Sequence, residues 1–238
     1  MLKLSRKVFL PDSGPSSERL IALRRPPVIA LQEERWIPDS MDLEEIDARW
    51  QDLCRMNHRY FDGDILQVLG VVRNGHGGVT IHVAPTSFRF YALQRDGLDI
   101  GTRVLGVKGL SRARDGRWLM GRRGSDVAFY PEKWEFVPGG SVPPGRDPGK
   151  VLLDELKEES GWLPIETPRS VAVLYDPSAF SWEIVFTLMV EPGTMKPTEP
   201  WEYDVCELIP SGSEPEPLAP VARQLLRIRD GLTDVRNR

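Results

Sequence analysis

The sequence predicts a mixed α/β fold with helices packed on a sheet, and three observations predict it. Short β-rich runs are bounded by Gly, Asn and Asp turns, helical patterns fall between those runs, and there are enough apolar residues for a sizeable core. Hydrophobic residues make up 40% of the 238 positions and charged residues 28%, within the globular range, so a wholly disordered chain is excluded. The length exceeds what one small core needs. It predicts a main domain over 98–238 with an N-terminal α+β extension over 1–97.

Residues 1–30 read as short extended pieces broken by Gly14 and by Pro11, Pro15, Pro26 and Pro27, each of which removes a backbone donor. From Asp42 to Arg55, the residues Leu43, Ile46, Trp50, Leu53 and Cys54 recur at steps of three and four, so one helical face packs inward, with Ser40 available as N-cap. Leu66–Val72 and Val79–Val83 flank Asn74-Gly75-His76-Gly77-Gly78, whose residues accept positive φ, and predict a hairpin. Val104–Leu110 and Trp118–Gly121 flank the Asp115-Gly116 turn and open the main domain. Further strands are predicted at Trp134–Val137, Ser170–Tyr175, Trp182–Val190 and Tyr203–Ile209, with a last helix over Pro217–Asp230. Glu191–Pro200, rich in Pro, Glu and Thr, reads as an exposed loop.

Charge narrows the partners. Thirty-one Lys and Arg against 35 Asp and Glu give a net charge of -4, so no general attraction to nucleic acid or an anionic membrane is expected. Cys54 and Cys206 read as two buried free thiols, because two cysteines do not make the disulfide framework of a small secreted domain. Met1–Leu10 interleaves Lys3, Arg6 and Lys7 with short apolar pieces, unlike a signal peptide, and no apolar run reaches membrane-spanning length. A cytoplasmic protein is the expectation.

The chemistry concentrates between Trp134 and Trp162, in WEFVPGGSVPPGRDPGKVLLDELKEESGW. Asp147 suits an N-cap, Pro148 the first helical position and Gly161 a left-handed stop, which predicts a helix over Pro148–Ser160. Leu152, Leu153 and Leu156 form its buried stripe. Glu155, Glu158 and Glu159, three and four apart, project from a common side. Like charges at these spacings cost roughly 0.2–0.5 kcal/mol per pair, so the cluster calls for solvent, a cation or both. A solvated acidic helix face is one reading. The other is a hard divalent ion: Mg²⁺ prefers oxygen ligands, retains waters and bridges carboxylates to substrate phosphates. Pro138-Gly139-Gly140, just before the helix, lets backbone and helix approach closely, so that a glycine carbonyl can join the carboxylates.

Together these features resemble the Nudix box, G-x5-E-x7-R-E-U-x-E-E-x-G-U with U apolar. Gly140, Glu155, Leu156, Glu158, Glu159, Gly161 and Trp162 fall on the pattern, and Trp134-Glu135-Phe136 resembles its usual lead-in. Arg146 stands where the box has Glu, and Asp154 where it has Arg, so the two charges are exchanged. Their spacing suggests the family's ion pair with reversed polarity, in which Asp154→Arg loses activity and an added Arg146→Glu restores it. The resemblance implies an α/β/α Nudix sandwich with a mixed sheet, carrying the N-terminal extension.

It also implies a hydrolase that cleaves the pyrophosphate bond of a nucleoside diphosphate derivative with Mg²⁺, or Mn²⁺ in its place. Glu155, Glu158, Glu159 and the Gly139 carbonyl would hold the metal, with the same glutamates catalytic. Arg122, Arg123 and Gly140 would bind substrate. More loosely, Trp50, Tyr60-Phe61-Asp62-Gly63, Thr86-Ser87-Phe88-Arg89 and Tyr91 resemble the branch that hydrolyses UDP-glucose and UDP-galactose to UMP and sugar 1-phosphate. ADP-ribose or another nucleoside diphosphate derivative is the alternative substrate, and a non-catalytic nucleotide-binding module the alternative class. A P-loop fails because Arg146-Asp147 replace Lys and Ser/Thr after Gly140 and Gly145. His58, His76 and His82 lack zinc or triad spacing and read as surface or hairpin residues. The acidic balance argues against RNA decapping. Oligomeric state is not encoded in any motif.

Overall fold

The computed structural model describes residues 19–39, 41–193, 196–198 and 201–236. In chain order the elements are β1 (Arg19–Ala22), β2 (Val28–Leu31), α1 (Leu43–Met56), β3 (Asp64–Arg73), β4 (Val79–Ser87) and α2 (Phe88–Arg95). Then follow β5 (Val104–Arg112), β6 (Trp118–Arg123), β7 (Trp134–Phe136), β8 (Gly139–Ser141) and α3 (Pro148–Glu155), which runs into a π-helical turn over Leu156–Ser160. The chain closes with β9 (Leu163–Pro164), β10 (Arg169–Asp176), β11 (Ser181–Glu191), β12 (Tyr203–Ile209) and α4 (Pro220–Arg236).

The result is a mixed α/β architecture. The main path of the sheet runs β1-β10-β11-β5-β3-β4-β2, with β8 and β6 also on β5, and β7 and β12 on β6. β5 and β11 pair in parallel from Ser181↔Val104 to Met189↔Arg112, whereas the hairpin strands pair antiparallel. Their inner residues are buried with little alternation, as expected of central strands covered on both faces. On one face Val151, Leu152 and Leu156 of the α3 segment join Leu105, Val107, Ile184 and the hairpin residues Val68 and Ile81. On the other, Val221, Ala222, Leu225 and Ile228 of α4 pack against Leu110, Met120, Phe136 and Val185. Burying each large aliphatic side chain contributes about 1.5–3 kcal/mol, so the two helices are held mainly by these stripes.

The expected hairpin forms, with Gly75 and Gly77 at positive φ. α1 begins at Asp42, whose side chain accepts from the Glu44 N–H and so takes the capping role; Ser40 lies outside the described residues. α2 is a helix that the sequence reading missed. Its eight residues present no amphipathic repeat, and Phe90, Tyr91, Ala92, Leu93 and Gln94 are all buried, so packing rather than periodicity defines it. α1 and α2 pack through Ile46, Leu53, Phe90 and Leu93. The expected division at 97/98 falls in the connection from α2 to β5, and the sheet continues across it through the β3–β5 pair Gln67↔Val104. Cys54 and Cys206 are free thiols, half-buried rather than buried. Among the described residues no helix is long and apolar enough to cross a membrane.

Candidate active site

The site is built where β8 meets the helix that follows it. Gly139 and Gly140 pair with Lys108 and Val107 of β5, fixing the glycine pair to the centre of the sheet. Because Gly140 has no side chain, Glu155 fills the space beside it, and a Cβ built there would overlap the Glu155 carboxylate. The helix begins as expected, with Asp147 accepting from the Lys150 N–H, and ends at Gly161 with φ 70°. Its last turn differs from expectation. The π-helical turn over Leu156–Ser160 inserts an extra residue and re-aims the glutamates.

The three box glutamates consequently divide. Glu155 and Glu158 line a cavity of about 520 Å³, whereas Glu159 is 2% exposed and sits behind the glycine strand. The Gly139 N–H donates to Glu159 Oε2 at 3.1 Å, and Glu159 Oε1 is buried with no hydrogen-bond partner. Burial first, then the charges of Glu202 and Glu155, hold the Glu159 carboxyl well above the usual range, opposed by Lys108. Among the described residues no group of three or more Asp, Glu, His or Cys side chains is placed to hold a metal ion. Mg²⁺ does not need three, since one or two carboxylates, waters and substrate phosphates commonly complete its shell. Glu155 and Glu158, on the cavity wall, are the carboxylates that would meet a hard cation there, with the orphaned Glu159 oxygen buried beside them.

Behind the glycines lies a charge network that the sequence reading did not single out. Lys108 Nζ donates to Glu135 Oε2 at 2.8 Å, and Tyr203 OH donates to Glu135 Oε1 at 2.9 Å. Arg123 Nη1 donates to Glu202 Oε2 at 2.9 Å, and its Nε lies 3.5 Å from Glu135 Oε1. Burial pushes the Glu135 carboxyl up, but Lys108 and Arg123 outweigh it and keep the group below the usual range. For Lys108 burial works downward, yet Glu135 and Glu183 prevail and raise it to about 12. A charged residue facing inward on an otherwise apolar strand was the available signal for both Lys108, in VLGVKGLSR, and Glu183, in SWEIVFTLMVE.

Glu183 is the second orphan. Ser181 Oγ donates to its Oε1 at 2.6 Å, while its Oε2 lies against Gly106, buried and without a partner. Burial raises its carboxyl to about 7, against the pull of Lys108.

The remaining predicted residues separate. Arg123 lines the cavity but is committed to Glu202 and Glu135, whereas Arg122 is exposed, 3.4 Å from Asp204, and does not line it. Arg146 and Asp154 do pair, at 2.5 Å, and both are about half exposed and outside the cavity wall. The N-terminal segment supplies further lining through Arg59, Tyr60, Phe61, Phe88, Tyr91 and Arg95. Trp50 stacks on Tyr60 with ring centroids 5.8 Å apart, supporting that lining from behind. His58, His76 and His82 are exposed and take no part.

No family model matches the chain, and no curated protein matches it in sequence. Solved structures resemble it at low identity. A MutT Nudix hydrolase from Burkholderia pseudomallei is 21% identical, with 52% of this chain and 95% of that one covered, at a TM-score of 0.42. A MutT protein from Methanosarcina mazei is 18% identical over 53% and 93%, at 0.40. A bifunctional NMN adenylyltransferase/ADP ribose pyrophosphatase from Francisella tularensis is 17% identical over 58% and 43%, at 0.44. At these scores the likenesses carry no weight for individual residues or substrates, and the functional reading rests on the site itself.

Proposed function

We propose that the chain is a divalent-metal-dependent pyrophosphohydrolase of the Nudix type acting on a nucleoside diphosphate derivative. The observation that carries this reading is the contact between Glu155 and the side-chain-free Gly140, which puts a carboxylate-rich helix end directly against a glycine strand at the wall of one cavity. An acidic helix face that is merely solvated has no need of that contact.

In the reaction water attacks one phosphorus, the bond from that phosphorus to the bridging oxygen breaks, and two phosphate monoesters leave with the released proton. When bound, Mg²⁺ supplies charge neutralisation at the phosphoryl oxygens and acidifies the attacking water. Glu155 and Glu158 present carboxylates to the cavity, and Glu159 is oriented from behind by the Gly139 N–H. Lys108 and Arg123 pair with Glu135, which offsets the charge this buried carboxylate brings near Glu159.

The substrate we favour is a UDP-sugar, cleaved to UMP and sugar 1-phosphate. Supporting this, Tyr60, Phe61, Phe88 and Tyr91, the residues of the looser sequence resemblance, line the same cavity as Glu155 and Glu158. The second reading, a nucleotide-binding module without turnover, has the swapped Arg146 and Asp154 of the sequence pattern in its favour, but both lie outside the cavity wall. Product identification after incubation with UDP-glucose, UDP-galactose, ADP-ribose and dinucleoside polyphosphates, with and without Mg²⁺, tests the proposal. Metal-dependent UMP release supports the UDP-sugar branch, and cleavage of another member moves the substrate. Binding without turnover of any substrate supports the module and overturns the enzyme.

A further inference from the structure

The cavity holds four basic side chains, and two of them are already spent. Lys108 is paired with Glu135, and Arg123 with Glu202 and Glu135. The other two, Arg59 and Arg95, form no ion pair among the described residues, although acidic groups line other parts of the same cavity. Both belong to the segment before the glycine strand and the glutamate helix, and both are backed by aromatic rings. The Arg95 guanidinium lies 3.5 Å from the Phe129 ring centroid, with Tyr91 5.7 Å away on a ring stacked with Phe129, and the Arg59 guanidinium lies 5.0 Å from the Trp201 centroid.

Stacking of this kind uses the face of a guanidinium and leaves its N–H donors in the plane, where they suit the paired oxygens of a phosphate. Arg95 is half-buried at the end of α2, where the helix carbonyls favour a cation but do not replace an anionic partner. Burial lowers its pKa, so the site bears the cost of holding a guanidinium there without a carboxylate. A phosphate brought by a ligand would offset that cost.

We infer that Arg95, assisted by Arg59, receives a phosphoryl group of the ligand in the cavity that the glutamates also line, so that the N-terminal segment is part of the substrate site. The inference rests on the pyrophosphohydrolase reading for the identity of the ligand as a nucleoside diphosphate derivative. It moves phosphate recognition away from Arg122 and Arg123, which the Nudix resemblance had implied. A diphosphate would then be held by the glutamates through a cation and by the arginines directly.

The test is calorimetric titration of the full chain with UDP, ADP and inorganic pyrophosphate in Mg²⁺, comparing wild type with Arg95→Met, Arg95→Lys, Arg59→Met and Glu159→Gln. Arg95→Met keeps the apolar stem and loses the fork. It is expected to weaken diphosphate binding about ten- to a hundredfold, as loss of a charge-assisted hydrogen bond does, with Arg95→Lys recovering only part. Arg59→Met, at an exposed position where the fold is not at stake, is expected to weaken it about tenfold. Arginine-dependent binding in a chain that cleaves nothing would sustain this inference and sink the enzymatic reading, which Glu159→Gln probes separately. Wild-type affinity in both methionine variants, or no binding of any of the three probes to wild type, would overturn it.

Discussion

The Glu155 carboxylate occupies the space that a side chain on Gly140 would need. That relationship ties the chemistry of the helix to the absence of a Cβ on the strand. Gly140→Ala is therefore expected to push Glu155 out of the cavity wall and lower kcat/KM at least about a hundredfold, roughly 2.7 kcal/mol of transition-state stabilisation. Steady-state kinetics on a chain with an unchanged circular dichroism spectrum checks it; near-normal activity would show that Glu155 does not need this position.

The exchanged pair is expected to matter little. Arg146 and Asp154 meet at the surface, both about half exposed, where an ion pair contributes about 0–1 kcal/mol. Asp154→Ala should shift stability by less than that and leave kcat/KM within about threefold. Complete loss of activity in this variant, with the fold intact, would show that turnover depends on the pair, as the resemblance implied.

Lys108 should matter more. Its ammonium answers Glu135, which is 2% exposed and cannot find another solvent. Lys108→Met leaves that carboxylate with the Tyr203 hydroxyl and the more distant Arg123, and is expected to cost about 3–5 kcal/mol, read by chemical denaturation. The double variant Lys108→Met/Glu135→Leu should recover part of the loss, because it removes the buried charge as well. Equal or greater loss in the double variant would show that packing, not charge, is at stake.

Glu183 predicts a pH signature. Its folded value is raised to about 7, so the folded chain binds the proton more tightly than the unfolded chain. The associated stability is complete below the ordinary carboxylate range and is lost as pH rises from there toward 7, on the order of 3 kcal/mol in total. The groups around it are Ser181, Lys108, Asp176 and Glu135. Glu183→Gln should raise Tm at pH 8 more than at pH 5. A shift of equal size at both pH values would contradict the assignment.

The sequence made the local chemistry legible where residue type fixes geometry. The Asn-Gly hairpin, the Asp147 cap and the Gly161 stop all stand where the pattern puts them, because each depends on neighbours in the chain. What was not legible depends on residues far apart. α2 has no periodic face, since it is buried nearly all round by α1 and the sheet. Glu202 lines the cavity and bonds to Arg123, 79 positions earlier, and no short motif announces it. Spacing placed Glu155, Glu158 and Glu159 on one side of a regular helix; the π-helical turn separates Glu159 from the other two, a change of pitch that no residue type signals.

The Mg²⁺ dependence of pyrophosphate-bond cleavage in wild type and Glu159→Gln decides between a metal-dependent hydrolase and any other role for the glutamates. Turnover is expected to require the metal and to fall at least about a hundredfold in the variant, with the fold retained. Cleavage that is unchanged in Glu159→Gln, or equally fast after the divalent ion is chelated, would contradict that expectation.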